Sequence, residues 1–124
     1  MPGAAIVGTW EQGEIEGAAA EEFTDFSITI STTDDATVLD YSTENTYSLV
    51  FPESGEFTEI PAEADFTNGA QVTNGSTPTD ITLVSETQLR MVFTVDANSG
   101  LPADNAKTAE IGGEYTFTLT KAAE

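Results

Sequence analysis

The chain has 124 residues, a length that suits one domain, and 39% of them are hydrophobic. Its 22 acidic and 3 basic side chains give a formal net charge of −19, which repels nucleic-acid phosphates and anionic lipid head groups, so neither is an expected partner. Because the sequence has no histidine and no cysteine, disulfides, Ser–His and Cys–His catalytic pairs, and ordinary zinc, copper, haem and iron–sulfur sites are excluded.

Alternation of apolar and polar residues dominates the first half of the chain and is typical of strands with one buried face. Phe26, Ile28 and Ile30, for example, alternate with small polar residues. A helix of one or two turns is predicted over 17–23, where alanines and glutamates cluster. Strands are predicted at 5–12, 26–31, 37–42, 47–51 and 55–60.

The second half continues the same pattern. Asn68-Gly69 suits a two-residue type I′ turn, which predicts a hairpin between 64–67 and 70–73. Asn74-Gly75 marks another turn, followed by a loop through Pro78. Further strands are predicted around Ile81 and Leu83, over 89–95 and over 115–120, and the segment 96–112 is predicted to be the longest and most mobile loop.

About eight short strands without βαβ alternation predict an all-β fold, an antiparallel up-and-down barrel with an immunoglobulin-like sandwich as the alternative. We expect one domain over 1–124 and a monomer. No stretch approaches the roughly 20 apolar residues of a transmembrane segment, so none is predicted.

Two groups of side chains are candidate sites, and each has a simpler structural explanation. The aromatic residues Trp10, Tyr41, Tyr47 and Phe51 are candidates for lining a ligand cavity, although buried aromatics more often form plain core. Oxygen-bearing side chains suggest calcium as the only candidate cofactor, although Asp and Asn also populate turns because they bond local backbone. These residues are Asp34, Asp35, Asp96, Asn98 and Asp104.

No catalytic residue is predicted, and we expect the protein not to be an enzyme. Two carboxylates about 5 to 10 Å apart can hydrolyse a glycosidic bond, and with 22 acids a carboxylate-dependent glycosidase remains a minor alternative. Such an enzyme also needs a substrate cleft with aromatic platforms, which a chain of this length can barely supply.

Three segments together resemble the lipocalin-like domains of secreted lipoproteins from Bacteroidetes-type bacteria. Ile6-Val7-Gly8-Thr9-Trp10 resembles their Gly-x-Trp opening, and the segment 50–57 resembles a Phe-Pro-x-Ser-Gly-x-aromatic motif. The tail is similar to their ending, with Thr-Asp-Ile-Thr-Leu at 79–83, the strand from Leu89, and 113–121.

The resemblance implies a single lipocalin-like domain that folds as an eight-stranded antiparallel barrel. In lipocalins the tryptophan closes the barrel base against an arginine on the last strand, whereas the last strand here offers Lys121 and Arg90 lies one strand earlier. The resemblance also implies export to the periplasm or cell surface, through a lipid anchor on a cysteine outside this sequence.

The function that we expect is therefore that of a non-enzymatic, exported cell-envelope domain. It binds a small apolar or glycan ligand, or contacts another envelope component. The alternative from a different class is a structural spacer or adhesion module of a larger surface protein.

The charge imbalance leads to a testable prediction. With 22 acids and three bases, few ion pairs can form, so like charges repel one another and salt should screen that repulsion. We expect the melting temperature to rise between low salt and physiological ionic strength in a thermal unfolding series. A flat or falling curve over that range would contradict the expectation.

Overall fold

Eight antiparallel strands close into a barrel in which each strand pairs with the next and the last pairs with the first. The computed structural model describes residues 6–18, 20–47, 50–61, 63, 65–75, 77–95 and 113–122. The up-and-down barrel predicted from the sequence is confirmed, and the immunoglobulin-like sandwich is wrong. The strands are β1 (Gly8–Glu16), β2 (Ser27–Thr32), β3 (Leu39–Glu44), β4 (Ser54–Thr58), β5 (Ala70–Asn74), β6 (Thr77–Ser85), β7 (Gln88–Val95) and β8 (Gly113–Lys121).

The predicted alternation of inward and outward side chains is confirmed most clearly on β7 and β8. Away from the strand ends, every second residue is buried, as the period of two in a strand requires. The residues between them face solvent wholly or in part and are mostly polar. The buried residues are Leu89, Met91 and Phe93 on β7, and Tyr115, Phe117 and Leu119 on β8.

A β-bulge at Gly13 keeps the apolar residues of β1 on the inner face. Gln12 pairs with Leu119 and Glu14 pairs with Thr118, so Gly13 is the extra residue. The bulge changes the parity of the strand, and Ile15 consequently packs against the core that Trp10 also joins. A Cβ atom at Gly13 would lie 2.7 Å from the backbone oxygen of Thr118, so this position has no room for a side chain.

Connecting segments carry apolar side chains into both ends of the barrel. We call the end where β1 begins and β8 ends the base, and the opposite end the mouth. At the base, buried Ile60 and Phe66 come from the connection between β4 and β5. At the mouth, buried Phe23 follows a single 3₁₀ turn (Ala20–Glu22), and buried Phe51 comes from the connection between β3 and β4. The short helix predicted over 17–23 is therefore confirmed as one turn.

The strand predicted over 47–51 is wrong. Asn45 has a left-handed φ of 57° directly after β3, and the backbone N–H groups of Val50 and Phe51 both donate to the carbonyl of Tyr47, at 2.9 and 3.0 Å. Thr46 Oγ1 also donates to the carbonyl of Phe51, at 2.8 Å. These local bonds form a turn, and the adjacent residues Val50 and Phe51 enter the core from it.

The hairpin predicted across Asn68-Gly69 is also wrong. The carboxylate of Asp65 accepts hydrogen bonds from the Thr67 N–H and hydroxyl and from the Asn68 side-chain amide, which makes a local turn of the residues predicted as a strand. The tight hairpin lies instead between β5 and β6, where Asn74 pairs with Thr77. Pro78, predicted in a loop, belongs to β6 and pairs with Thr73.

The first strand starts at Gly8 and runs to Glu16, further along the chain than the predicted 5–12, of which the beginning lies outside the described residues. The predicted mobile loop over 96–112 also lies outside them. Within the described part of the chain, no helix has the length and apolar character needed to cross a membrane.

The bulge provides a stability prediction. Gly13→Ala should lower the free energy of unfolding by about 2 kcal/mol, because the added methyl group meets backbone that cannot rotate away. Gly75→Asn is the matched control, since a Cβ there meets nothing within 4 Å and asparagine tolerates its φ of 66°. Urea unfolding measures both variants, and equal stability of the two would contradict the role given to the bulge.

Candidate functional site

The interior of the barrel contains a cluster of aromatic rings in direct contact. Phe51 touches four of them, with centroid distances between 5.3 and 5.8 Å. Phe117 in turn contacts Phe23 at 5.1 Å, and the ring of Tyr47 lies 6.4 Å from Phe23. The cluster thus reaches from the mouth to the middle of the sheet wall. The four rings around Phe51 are Phe26, Tyr41, Phe93 and Phe117.

The structure brings some of the predicted ligand-binding aromatics together and leaves others apart. Tyr41 and Phe51 are buried and in contact, with centroids 5.3 Å apart. Tyr47 is half-buried and reaches the same cluster through Phe23. Trp10 is fully buried, but it lies on β1 near the base. The four residues therefore do not form one site.

Trp10 takes part in closing the barrel. It pairs across the β1–β8 seam with Lys121, whose Nζ lies 5.6 Å from the centre of the indole ring. The indole Nε1 donates to the carbonyl of Ile6 at 3.0 Å. A cation over an aromatic face is attracted by the ring quadrupole, so the lysine on the last strand supplies the positive charge at this closing contact.

A groove on the outside of the barrel has a volume of about 300 Å³ and lies over β4. It opens beside the turn between β5 and β6, near the mouth. Tyr41 is the one predicted ligand-binding residue in its wall. The lining residues are Tyr41, Pro52, Ser54, Gly55, Glu56, Thr58, Asn74 and Gly75.

The Tyr41 side chain reaches this groove because the residue opposite it has no side chain. Tyr41 pairs with Gly55, and a Cβ atom there would lie 2.8 Å from the phenolic oxygen. The ring stacks on Phe57 with centroids 4.7 Å apart, which fixes its direction. The hydroxyl then donates to Asn74 Oδ1 at 2.6 Å, across the whole width of β4.

This hydrogen bond spans the shortest seam of the barrel. Among the residues that the structure describes, β4 and β5 pair through two positions, Phe57 with Asn74 and Thr58 with Thr73. The Tyr41–Asn74 bond therefore ties β3 to β5 where the ladder between β4 and β5 contributes little. Burial raises the pKa of Tyr41 to about 12, and the bond to Asn74 offsets part of that rise.

The predicted calcium ligands fall into two groups. Asp34 and Asp35 lie in the exposed connection between β2 and β3, where Asp35 Oδ1 accepts from the Thr37 N–H at 2.8 Å and from its hydroxyl at 2.7 Å. These bonds lower the pKa of Asp35 and hold its carboxylate in a local turn. Asp96, Asn98 and Asp104 lie outside the described residues, and within the described ones no group of three acids could hold a metal.

Two residues of the groove were missed from the sequence, although each had a signal. Gly55 stands inside a strand pattern, and an isolated glycine there often marks the close approach of another group. Asn74 was interpreted only as part of a turn, yet its side-chain oxygen accepts a hydrogen bond from the Tyr41 hydroxyl. The cross-strand neighbours that make these residues matter depend on register, which the alternation alone does not specify.

Comparisons with protein-family models, with curated protein sequences and with solved structures found no match to this chain. The closed barrel, its packed interior and the outer groove are thus the basis for inferring function.

The raised pKa of Tyr41 predicts a pH dependence. In the unfolded chain the phenol titrates near its ordinary value of 10.0, whereas in the folded protein it holds its proton to about 12. Below pH 10 the stabilisation is fully present, and it is lost as the pH rises towards 12 because the unfolded state gives up its proton first.

Urea unfolding between pH 9 and pH 12 tests this dependence. The wild type should lose stability over that interval more steeply than Tyr41→Phe, which has no proton to lose at this position. The other two tyrosines are present in both proteins and cancel in the comparison. If the free energy of unfolding of both proteins fell equally with pH, folding would not raise the pKa of Tyr41.

Proposed function

We propose that the chain is a non-enzymatic binding domain of an exported cell-envelope protein, and that it binds a small glycan in the groove over Gly55. The observation that carries the proposal is the path of the Tyr41 side chain, which passes beneath Gly55 and brings its hydroxyl to the groove. The resemblance of the Gly-x-Trp opening and of the segment 50–57 to lipocalin-like envelope lipoproteins supports the export and the lipid anchor.

Because aromatic rings pack the interior, we place the proposed ligand on the outer face. Phe51 fills space between β3, β7, β8 and Phe26, the residue before β2, and the rings around it are at ordinary aromatic contact distances. A small apolar ligand placed among these described rings would have to displace Phe51 and break these contacts. An eight-stranded barrel is near the size at which side chains just fill the interior, so packing and lumenal binding compete for the same space.

The chemistry of the groove suits a sugar. Hydroxyl and amide groups of Ser54, Thr58 and Asn74 supply donors and acceptors, and the Pro52 ring supplies apolar surface. The volume of about 300 Å³ is at the lower end of the range for small-molecule sites, which suits one sugar ring. Glu56 adds one negative charge, so a neutral sugar is a better match than an acidic one.

The same groove supports the assignment as a binder. Among the described residues that line it, Glu56 is the single carboxylate. Glycosidases ordinarily use two carboxyl groups that flank the scissile bond. The minor glycosidase alternative therefore has little support at this position.

The alternative function, from a different class, is that of a structural spacer in a larger surface protein, and the packing of the barrel favours it. Apolar side chains enter both ends, Ile60 and Phe66 at the base and Phe23 and Phe51 at the mouth. A domain filled in this way serves well as a rigid module between other parts of a surface protein. A spacer needs no ligand, so binding experiments separate the two functions.

Titration with neutral sugars tests the proposal. We expect glucose, galactose, N-acetylglucosamine and their short oligomers, added to ¹⁵N-labelled protein, to shift the amides of β4 and of Asn74 and Gly75. Tyr41→Phe should weaken the affinity of the best of these sugars by about five- to tenfold. The Tyr41 proton is donated to Asn74, so the bond that is lost is the one that the phenolic oxygen would accept from a sugar hydroxyl. Tyr47→Phe is the matched control, since its hydroxyl is not among the described groups that line the groove.

An apolar probe supplies the opposing result. N-phenyl-1-naphthylamine should leave the fluorescence of Trp10 unchanged, because the rings already occupy the interior. Saturable quenching of Trp10 by this probe would favour a lumenal apolar ligand. Sugars that shift no amide in the groove at millimolar concentration would favour the spacer.

A further inference from the structure

A second groove lies on the outer face of β5, β6 and β7, and it contains one of the three basic side chains of the chain. Its volume is about 380 Å³. Arg90 stands on the outward face of β7, between Thr82 of β6 and Thr118 of β8. The lining residues are Asn68, Gly69, Ala70, Gln71, Asp80, Thr82, Arg90 and Val92.

Arg90 is exposed and has no carboxylate directly opposite it on either neighbouring strand. Its two cross-strand neighbours are threonines, and among the residues that the structure describes no carboxylate forms an ion pair with it. Asp80 lines the same groove but pairs with Val92, one diagonal step away from Arg90. In a chain with 22 acids and a net charge of −19, a guanidinium left without such a partner is unexpected.

The rest of the wall offers uncharged polar groups and a shaped edge. Gln71 and Thr82 contribute an amide and a hydroxyl. The rim at Asn68 and Gly69 is held by the turn that Asp65 organises, since Asn68 donates its side-chain amide to Asp65 at 2.7 Å. A Cβ atom at Gly69 would lie 3.1 Å from Thr82 Oγ1, so the glycine lets this rim approach β6 closely.

We propose that the Arg90 groove binds a small, hydroxyl-rich monocarboxylate, that is, a sugar acid such as a hexuronate. A guanidinium presents two parallel N–H groups that match the two oxygens of a carboxylate. The hydroxyl groups of the sugar then meet Gln71, Thr82 and the carboxylate of Asp80, which accepts hydrogen bonds. This groove and its ligand are independent of the neutral-sugar site proposed over Gly55.

The charges around the groove select against other anions. Asp80 opposes a ligand with more than one negative charge, and Glu114 lines the neighbouring groove, which shares Gln71, Asp80 and Val92 with this one. A phosphate dianion would gain from Arg90 but suffer repulsion from both acids. A monocarboxylate has one charge to place at Arg90, and its hydroxyl groups tolerate carboxylate neighbours as hydrogen-bond acceptors.

Amide shifts of the ¹⁵N-labelled protein in titrations with glucuronate and galacturonate test the proposal. We expect at least one of them to shift amides at 69–71, 80–82 and 90–92 with a saturable dependence. Glucose and inorganic phosphate at the same ionic strength should move these amides much less. Arg90→Gln should weaken the binding of the uronate by tenfold or more, and Arg90→Lys should weaken it by less, because it keeps the charge and loses the planar fork.

Lys121→Gln is the charge-matched control, since it removes one positive charge near the base and Lys121 does not line this groove. It should leave the uronate affinity within a factor of two, with folding of each variant checked by its amide spectrum. Four outcomes would overturn the proposal. They are no saturable shift at 50 mM uronate, an unchanged affinity in Arg90→Gln, equal binding of glucose or phosphate, and equal binding of N-acetylglycine, a monocarboxylate without the sugar hydroxyls.

Discussion

The pairing of β1 with β8 is the constraint on which the rest of this structure depends, because without it the eight strands would form an open sheet with two exposed edges. The seam joins residues near the two ends of the chain, so it requires every intervening strand to be in register. Gly13 permits it by placing a bulge where the Thr118 carbonyl leaves no room for a side chain. Trp10 and Lys121 then bring an aromatic face and a cation together at the base end of the same seam.

Closure of the barrel determines how much space the interior can offer. The inward residues of eight strands meet around one axis, and Phe51 and Phe23 enter from the mouth to complete the aromatic cluster. Since both residues come from connections rather than strands, the interior is filled by segments that the strand pattern does not govern. The binding site that we propose accordingly lies on the outer wall. There a missing side chain at Gly55 gives access to a group that otherwise belongs to the core, the hydroxyl of Tyr41.

The alternation of residues on β2, β7 and β8 was enough to predict strands with one buried face and hence an all-β fold. It left the up-and-down barrel and the immunoglobulin-like sandwich open, because closure depends on the pairing of β1 with β8, which the alternation does not specify. The same reasoning failed at 47–51, where Tyr47 and Phe51 alternate correctly but the backbone bonds to itself in a turn. It failed again at 64–67, where the Asp65 carboxylate captures the donors of Thr67 and Asn68. The Tyr41–Asn74 bond was beyond the sequence for a different reason: it joins residues 33 positions apart, and only the register of three strands brings them together.

The effect of the charged side chains depends on where each of them lies on the barrel. Acidic residues such as Glu11, Glu14 and Asp80 take outward positions on the strands, where water solvates them and where they repel one another. Because acidic side chains are so numerous, the role of each basic side chain depends on its position. Lys121 lies over the Trp10 ring and contributes to closure, whereas Arg90 stands on the outer wall between two threonines. A single guanidinium in a negative field attracts an anion only at short range, so a ligand there must fit the groove closely to bind at all.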